Sequence, residues 1–389
     1  MKNITYIAYT GMSEPLGRSQ VIPYINILGS VHLVSFEKKR LSVQDKSIIR
    51  RNFKSNSIRW SAKKYHKSPR LVATFFDLIS MLIILKKDRK MGVQYVHCRG
   101  YITAISALMY SFLYPNTRYI FDMRAFWPDE MVTSGTLKKS SFLYFLLKKI
   151  EKYLIIKSHA TIVLTHAAYD YLLSNQWGAS KKIFVIPTCV DHDKFNIAYS
   201  EKNSNHSKSI TIGTVGTINN SWFLMEEFCI FISIFKTLVE NTKIRIVTQD
   251  NAKEIKRMLL LNNVREGDVQ IYPSTSENMP KEIRSYDALI MFFTSDFSKL
   301  GSAPTRFGEA LASGVPCVVN SGVGDIGNIV ESEGVGVVVN DLSSHDEMKN
   351  KCKDLVEIIN SNIDTKCRYV SKKYFSLQLA KIAYDEIYK

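Results

Sequence analysis

Cysteine, long apolar runs and, in the first half, acidic residues are scarce in this 389-residue chain. The six cysteines are scattered without a C-x-x-C pair, which argues against a disulfide framework or a zinc site and favours a reducing compartment. The longest apolar run, 71–85, is interrupted by Asp77 and is shorter than the ~20 residues needed to cross a bilayer. The first residues resemble a strand and lack the features of a signal peptide. We therefore predict a cytoplasmic chain with no transmembrane helix and no metal site.

Charge is unevenly distributed along the sequence. Residues 1–200 carry 30 Lys and Arg against 12 Asp and Glu, whereas residues 201–389 carry 22 against 24. A net charge of +18 in one half favours a polyanionic partner, which could be nucleic acid, an anionic membrane or a phosphorylated substrate. No RNA-binding motif is present, so we expect no nucleic acid partner.

Residues 137–156 combine helical periodicity with lysine pairs and the aromatic residues Phe142, Tyr144 and Phe145. This pattern is typical of a helix that lies on an anionic membrane surface. It is equally typical of a core helix whose lysines face solvent, and the sequence leaves both interpretations open.

Strand-like apolar runs alternate with helical stretches in both halves of the chain, which predicts an α/β fold with two doubly wound parallel sheets. The polar stretch 201–209 is the predicted linker between a domain at 1–200 and a domain at 210–371. The carboxyl ends of both sheets would then face a ligand in a cleft between the domains.

The stretch 301–320 (GSAPTRFGEALASGVPCVVN) has the signals of a helix start that binds an anion. A helix should begin with Pro304 in its first position and end at Gly314. The amides and the dipole of its first turn attract negative charge, and Arg306 adds forked donors. Glu309, one turn later, is placed to accept hydrogen bonds from two vicinal hydroxyls, as on a ribose. The turn 213–218 supplies a second, glycine-containing backbone segment.

Four segments then resemble the retaining family-4 glycosyltransferases of the GT-B type, also called glycosyl transferases group 1. They are L-G-R-S-Q at 16–20, Y-I-F-D-M-R-A-F-W-P-D-E at 119–130, V-I-P-T-C-V-D at 185–191, and the stretch 301–319, which is similar to the family's donor-binding pattern S-x-P-T-K-x-G-E-x-L-A-x-G-x-P-V. Glu309 falls on the family's second motif glutamate, which implies ribose binding. Arg306 falls where the pattern has Lys, which implies a diphosphate contact, and Gly301 replaces the first motif glutamate.

The resemblance implies a GT-B fold, in which the first Rossmann-like domain receives the acceptor and the second holds the nucleotide-sugar donor. It implies that a final helix, 372–389, packs back on the first domain. The implied activity is retaining transfer of a hexosyl or N-acetylhexosaminyl group from a nucleotide-diphosphate sugar, without a metal cofactor. The acceptor would be a lipid-linked or cell-surface glycan of lipopolysaccharide, capsule or exopolysaccharide synthesis, reached by a peripheral enzyme on the inner face of the plasma membrane.

The candidate site residues follow from these segments. Asp122 ends a predicted strand and Arg124 comes just past it; they either orient an acceptor hydroxyl or form a stabilising ion pair. His97 is either an acceptor contact or a core histidine. The predicted catalytic residues are Asp122, Arg124 and Arg306. The predicted donor-binding residues are Gly17, Gly216, Thr217, Ser302, Pro304, Thr305, Arg306 and Glu309. The predicted acceptor-binding residues are Arg18, Ser19, His97, Arg99 and Trp127.

Two other functions compete with glycosyl transfer. A sugar-nucleotide 2-epimerase has the same two-domain architecture but needs no second substrate and no basic surface. A non-enzymatic polyanion-binding protein would account for the charge of the first half but not for the helix start near Pro304.

Overall fold

The computed structural model describes residues 3–195 and 209–389, which divide into two compact units. The first comprises the described residues up to 132, together with 137–189 and 377–389. The second comprises 133–136 and the described residues of 190–376. The predicted boundary at residue 200 and the predicted linker, apart from residue 209, lie outside the described residues. Within the described chain the division falls between Cys189 and Val190.

The first unit is built on a seven-stranded parallel sheet. Its strands are β1 Ile4–Ala8, β2 Val31–Glu37, β3 Ile58–Lys64, β4 Tyr95–Arg99, β5 Arg118–Asp122, β6 Ala160–Val163 and β7 Ile183–Val185. Its helices are α1 Pro15–Gln20, α2 Ile22–Leu28, α3 Val43–Arg50, α4 Arg70–Lys90, α5 Tyr101–Leu113, α6 Trp127–Thr133, α7 Phe142–Lys157, α8 His166–Ser174 and, from the end of the chain, α17 Leu377–Ile387.

The strand order of this sheet is β3-β2-β1-β4-β5-β6-β7, so the direction of winding reverses between β1 and β4. The register pairs Ala8 with Arg99 and Arg99 with Asp122, which brings the last residues of three neighbouring strands side by side. In open α/β sheets, ligands bind outside the carboxyl ends of the strands at such a reversal.

The second unit repeats this plan with a six-stranded parallel sheet of order β10-β9-β8-β11-β12-β13. Its strands are β8 Ile210–Val215, β9 Thr242–Val247, β10 Val269–Tyr272, β11 Ala288–Met291, β12 Cys317–Asn320 and β13 Gly336–Val339. Its helices are α9 His192–Phe195, α10 Met225–Leu238, α11 Ala252–Leu261, α12 Met279–Arg284, α13 Thr305–Ala312, α14 Ile326–Glu333, α15 His345–Asn360 and α16 Asp364–Phe375. The reversal lies between β8 and β11. The predicted fold class, two Rossmann-like doubly wound sheets, is confirmed.

Both sheets are covered on their two faces, which explains the continuous apolar runs in the sequence. All four residues of β11 and all four of β12 are buried. The six cysteines are free and buried within these packed layers. None of the described helices combines the length and the apolar character that a membrane span requires.

The final stretch, predicted as one segment over 372–389, forms two helices that are broken at Ser376. Helix α16 stays with the second unit because it packs against α13: Ser371 Oγ donates to the carbonyl oxygen of Gly308 over 3.0 Å. Helix α17 belongs to the first unit, where it packs on α2 and buries Tyr384 against Tyr24.

Gly213 in β8 is a position at which only glycine fits. Its φ is +155°, and an added Cβ would lie 1.8 Å from the carbonyl oxygen of Arg245 in β9. We predict that Gly213→Ala lowers the free energy of unfolding of the second unit by at least about 2 kcal/mol, because overpacking and backbone strain each cost about 1–3 kcal/mol. Denaturant titration measures the change. Gly267→Ala is the matched control, since a Cβ there meets nothing within 4 Å; equal effects of the two variants would contradict the prediction.

Candidate active site

Helix α13 begins one residue later than predicted, at Thr305, so Pro304 occupies the N-cap instead of the first helical position. The backbone of Pro304 is extended, with φ −60° and ψ 120°, and no side chain of the described chain caps this helix start. Ser302, Pro304 and Thr305 are half-exposed there. Gly314 follows the helix with a φ of +75° and ends it, as predicted. The helix start therefore has the accessible backbone that an anion site requires.

Arg306 and Glu309 lie on one side of α13, where the Nη1 of Arg306 donates to the Oε2 of Glu309. The Glu309 residue is 5 % exposed, while the Arg306 side chain is 31 % exposed. Burial raises the pKa of Glu309, and the positive charges of Arg306 and Lys194 oppose that rise. A carboxylate has about four acceptor sites, so a bond to Arg306 leaves Glu309 with capacity for ligand hydroxyls.

The turn after β8 is held in place by one side chain, that of Asp250, which comes later in the sequence. Asp250 Oδ2 accepts from the backbone N–H groups of Ile218, at 2.7 Å, and Asn219, at 2.9 Å. Gly216 has a φ of +118°, and an added Cβ there would meet nothing within 4 Å. Thr217 is exposed beside it. The turn thus presents an open, fixed backbone at the carboxyl end of β8.

Lys299 is a candidate functional residue that the sequence interpretation missed. It lies on the 3-10 helix Phe297–Gly301 between β11 and α13, is 5 % exposed, and places its Nζ 4.1 Å from the ring centroid of Trp222. The N–H of Thr294 donates to the carbonyl oxygen of Trp222 over 2.9 Å, which joins the same two loops. The segment 219–222 has no basic residue of its own, and Lys299 supplies a cation next to it. The sequence signal that could have identified Lys299 is its position two residues before Gly301, where the predicted anion-binding stretch begins.

A third loop, at 321–325 after β12, joins this cluster and was also missed. The N–H of Gly324 donates to the carbonyl oxygen of Lys299 over 2.8 Å. Gly322 has a φ of +82°, and an added Cβ would lie 2.7 Å from the Cβ of Ser295. The loops after β8, β11 and β12 are therefore connected at the carboxyl edge of the second sheet, beside its reversal point.

In the first unit, the predicted residues Arg99, Asp122 and Arg124 form one ion cluster at the carboxyl edge of the sheet. Asp122 accepts from Arg124 Nη1 at 3.0 Å and from Arg99 Nη1 at 3.2 Å. Burial, the largest single influence on the pKa of Asp122, raises it, but Arg124, His97 and Arg99 together hold the pKa well below its ordinary value. Asp122 is 1 % exposed and Arg99 is 6 % exposed, whereas Arg124 is half-buried. Arg124 is thus the member of the cluster with a surface for ligands.

His97 has the surroundings of a core histidine. It is fully buried, its ring stacks on Tyr6 at 4.2 Å, and its Nδ1 lies 2.6 Å from the hydroxyl of Tyr388. Burial lowers its pKa, while Asp122, 3.4 Å from its Nε2, acts in the opposite direction. A direct contact between His97 and an acceptor would require this packing to open, so we do not propose that role further.

The remaining predicted residues of the first unit lie on two short helices. Gly17 is buried in α1, where an added Cβ would lie 2.2 Å from the carbonyl oxygen of Gly11, so close backbone packing accounts for this glycine. Arg18 and Ser19 follow it on α1 and are half-buried. Trp127 opens α6, also half-buried, and packs against Tyr101 at 5.4 Å between ring centroids.

A cavity of about 680 Å³ opens at the opposite edge of the first sheet, at the amino ends of β4 and β5. Its lining includes Arg89, Tyr95, Tyr114 and Arg118. Because Arg99 and Asp122 lie at the carboxyl ends of the same two strands, this cavity is separate from their cluster.

Residues 209–357 match the family model "Glycosyl transferases group 1". No curated protein matches the sequence of the chain. The match covers the strands, loops and helix start described above for the second unit, and it confirms the predicted glycosyltransferase domain.

Solved structures share the fold of the whole chain at low sequence identity. The Anabaena protein Alr3699/HepE, solved with UDP and glucose, is 11 % identical with a TM-score of 0.70, and 99 % of each chain is covered. WaaG, a glycosyltransferase involved in lipopolysaccharide biosynthesis, is 13 % identical with a TM-score of 0.64 and the same coverage. A putative UDP-N-acetylglucosamine 2-epimerase from Listeria monocytogenes is 13 % identical with a TM-score of 0.59, covering 99 % of this chain and 98 % of its own. The predicted GT-B fold is thereby confirmed.

Proposed function

We propose that this chain, whose residues 209–357 form a glycosyl transferases group 1 domain, is a retaining glycosyltransferase that uses a nucleotide-diphosphate sugar. The transferred group is a hexosyl or N-acetylhexosaminyl unit. The acceptor is a lipid-linked or cell-surface glycan of lipopolysaccharide, capsule or exopolysaccharide synthesis. The reaction takes place at the cytoplasmic face of the membrane.

The arrangement of Arg306 and Glu309 at the start of α13 is the observation that carries this proposal. A guanidinium and a carboxylate lie next to an uncapped helix start, beside the reversal point of a parallel sheet. The first suits a diphosphate and the second suits the two hydroxyls of a ribose. Gly216 and Thr217 contribute backbone from the turn after β8, and Ser302, Pro304 and Thr305 contribute the residues at the helix start. HepE, which has the same fold, was solved with UDP, and this supports a uridine-type donor as the first one to test.

Stabilisation of the leaving group is the chemistry that this site can supply. When the bond between the sugar and the diphosphate breaks, negative charge grows on the diphosphate. The helix start, Arg306 and the nearby Lys299 are cationic or hydrogen-bond-donating groups that are fixed before the reaction begins. The acceptor hydroxyl oxygen forms the new bond on the same side of the sugar, which retains its configuration, and its proton passes to the departing diphosphate. We propose that no metal takes part; full activity in EDTA would support this, and loss restored by a divalent cation would contradict it.

The first unit is the proposed acceptor side. Arg124, the accessible member of the Asp122 cluster, contacts the acceptor or its phosphate, while buried Asp122 and Arg99 position it. Arg18, Ser19 and Trp127, all half-buried, complete the proposed acceptor surface. The relation of WaaG to lipopolysaccharide synthesis supports a glycan acceptor of this class.

Glu309→Ala provides the direct test of the donor site. We expect the affinity for the preferred donor to fall about 10- to 100-fold, because hydrogen bonds to a charged group contribute about 1.5–3 kcal/mol. A thermal-shift screen against UDP-, GDP-, CMP- and dTDP-sugars identifies the donor, and calorimetry then measures its Kd for both proteins. Glu331→Ala is the control, since Glu331 is exposed on α14 in the same unit. Unchanged affinity in folded Glu309→Ala would remove the ribose assignment.

Two alternatives remain candidates. The Listeria epimerase has a similar fold, which favours a 2-epimerase, so the protein should be incubated with UDP-N-acetylglucosamine alone. Formation of the 2-epimer without an acceptor would establish that activity, while turnover that depends on a glycan acceptor would exclude it. The second alternative is a non-enzymatic polyanion-binding protein, which would be favoured if the chain binds polyanions but no nucleotide sugar.

A further inference from the structure

Helices α4, α5 and α7 form one continuous layer on a single face of the first sheet. Parallel strands joined by right-handed crossovers place the helices after β3, β4 and β5 on the same side. The contacts agree, because α5 packs against both α4 and α7. We call the solvent side of this layer the α4–α5–α7 face.

Exposed large apolar side chains are concentrated on this face. Of 24 such residues in the described chain, 14 lie on these three helices, and only four lie in the described residues of 190–376. Phe142 is 81 % exposed, Phe112 is 65 % exposed and Phe75 is 58 % exposed. The full set is Val72, Phe75, Phe76, Ile79 and Ile83 on α4, Met109, Phe112 and Leu113 on α5, and Phe142, Leu143, Phe145, Leu146, Tyr153 and Ile156 on α7. Single exposed apolar residues are ordinary, but a large apolar patch indicates an interaction surface.

The charges of the same face have one sign. The three helices contain three acidic residues, Asp77, Asp88 and Glu151, and all three are at least 99 % buried. Each of these carboxylates has a partner in the first unit: Asp77 accepts a hydrogen bond from Tyr9, Asp88 accepts one from Thr5, and Glu151 forms an ion pair with Lys148. Exposed basic residues border the apolar surface: Lys86, Lys87, Arg89 and Lys90 on α4, Lys149, Lys152 and Lys157 on α7, and Lys138 and Lys139 just before α7. Within the part of the chain that the structure describes, these three helices therefore combine exposed apolar and aromatic side chains with positive charge and expose no carboxylate.

From this combination we propose that the α4–α5–α7 face docks on an anionic lipid bilayer. Exposed phenylalanines enter the boundary between head groups and acyl chains, and the lysines contact lipid phosphates. Each basic residue near an anionic surface adds to the electrostatic attraction, so nine of them complement such a surface strongly. An acidic protein partner would match the charge, but the wide distribution over three helices fits an extended planar surface better than a single groove.

The two interpretations of residues 137–156 apply to opposite sides of one helix. The helix runs over Phe142–Lys157, and Tyr144, Glu151, Leu154 and Ile155 point inward, as in a core helix. Phe142, Leu143, Phe145 and Leu146 are exposed, so the solvent side of the first turns of this helix is apolar and is not formed by lysine side chains alone. The helix serves the core with one side and supplies the docking face with the other.

Vesicle co-sedimentation tests the proposal with the intact protein. Wild type is expected to sediment with vesicles that contain phosphatidylglycerol and to stay in solution with pure phosphatidylcholine or at high salt. Phe75→Ser combined with Phe142→Ser, and separately Lys86→Glu combined with Lys149→Glu, should each reduce the bound fraction at least tenfold. The matched controls are Leu260→Ser with Leu261→Ser on α11 and Lys349→Glu with Lys353→Glu on α15, all exposed in the second unit; both should bind like wild type.

Three outcomes would overturn the proposal. Equal binding to the two vesicle types would contradict a role for the positive charge. An equal loss of binding in the control variants would show that the contact is not located on the α4–α5–α7 face. A dimer in solution that is lost in the double phenylalanine variant would assign the face to a second copy of the chain. The inference rests on the proposed function only in placing a membrane acceptor nearby. If the protein does not sediment with vesicles but nucleotide sugars still raise its melting temperature, only the membrane proposal fails. If nucleotide sugars cause no thermal shift but the protein still sediments with anionic vesicles, only the donor-site proposal fails.

Discussion

Arg306→Ala is expected to lower kcat by about 10²- to 10³-fold, the loss typical when one preorganised donor to a developing negative charge is removed. The guanidinium lies at the start of α13, where the diphosphate of the donor is proposed to bind. Its removal also leaves the buried carboxylate of Glu309 without its arginine partner, so donor affinity should fall as well. Steady-state kinetics with the donor found in the thermal-shift screen measures both effects.

Arg306→Lys separates the two roles of this side chain. Lysine keeps the positive charge but loses the planar fork. We therefore expect it to recover most of kcat while donor binding remains weaker than in wild type. A folded Arg306→Ala protein with wild-type kcat would show that Arg306 serves only to pair with Glu309.

Asp122→Ala is expected to lower the free energy of unfolding of the first unit by about 3–5 kcal/mol, because it leaves Arg99 and Arg124 without the carboxylate that neutralises them. Denaturant titration should show this as an earlier transition for the first unit, while the nucleotide thermal shift of the second unit persists. Asp170→Ala on α8 is the control, since Asp170 is exposed. Equal stability of the two variants would show that the buried cluster contributes nothing.

The same cluster makes the stability of the wild type depend on pH. The pKa of Asp122 is lowered in the folded protein, so its contribution is present above the unfolded value of about 3.9 and is lost as the pH falls through the folded value. The pKa of His97 is lowered by burial, so the unfolded state takes up its proton first, below about pH 6.5, and this also destabilises the fold in acid. Asp122→Asn should flatten the acid part of this dependence below about pH 4 and leave the part near pH 6.5.

The sequence already predicted two parallel sheets, because strands buried on both faces must be continuous apolar runs. It also located the start of α13 to within one residue and its end at Gly314, since proline and glycine restrict the backbone locally. For the ion cluster, the sequence analysis identified Arg99 and Asp122 as strand-end candidates. It did not predict that they are neighbours, because this depends on the order of the strands in the sheet.

Which charged groups are buried and which are exposed could not be predicted from the sequence, because this depends on long-range packing. His97 and Asp122 follow the same strand-end pattern as Arg124, but Tyr6 and Tyr388 enclose the histidine and leave the arginine accessible. Lys299 became a site candidate only when the loops after β8 and β11 were joined around Trp222, a contact between residues 77 positions apart. The proposed role of the α4–α5–α7 face likewise depends on α5 packing between α4 and α7, with their acidic residues turned inward. Local sequence fixes the conformation of the backbone over a few residues, whereas exposure and electrostatic environment depend on which distant segments pack together.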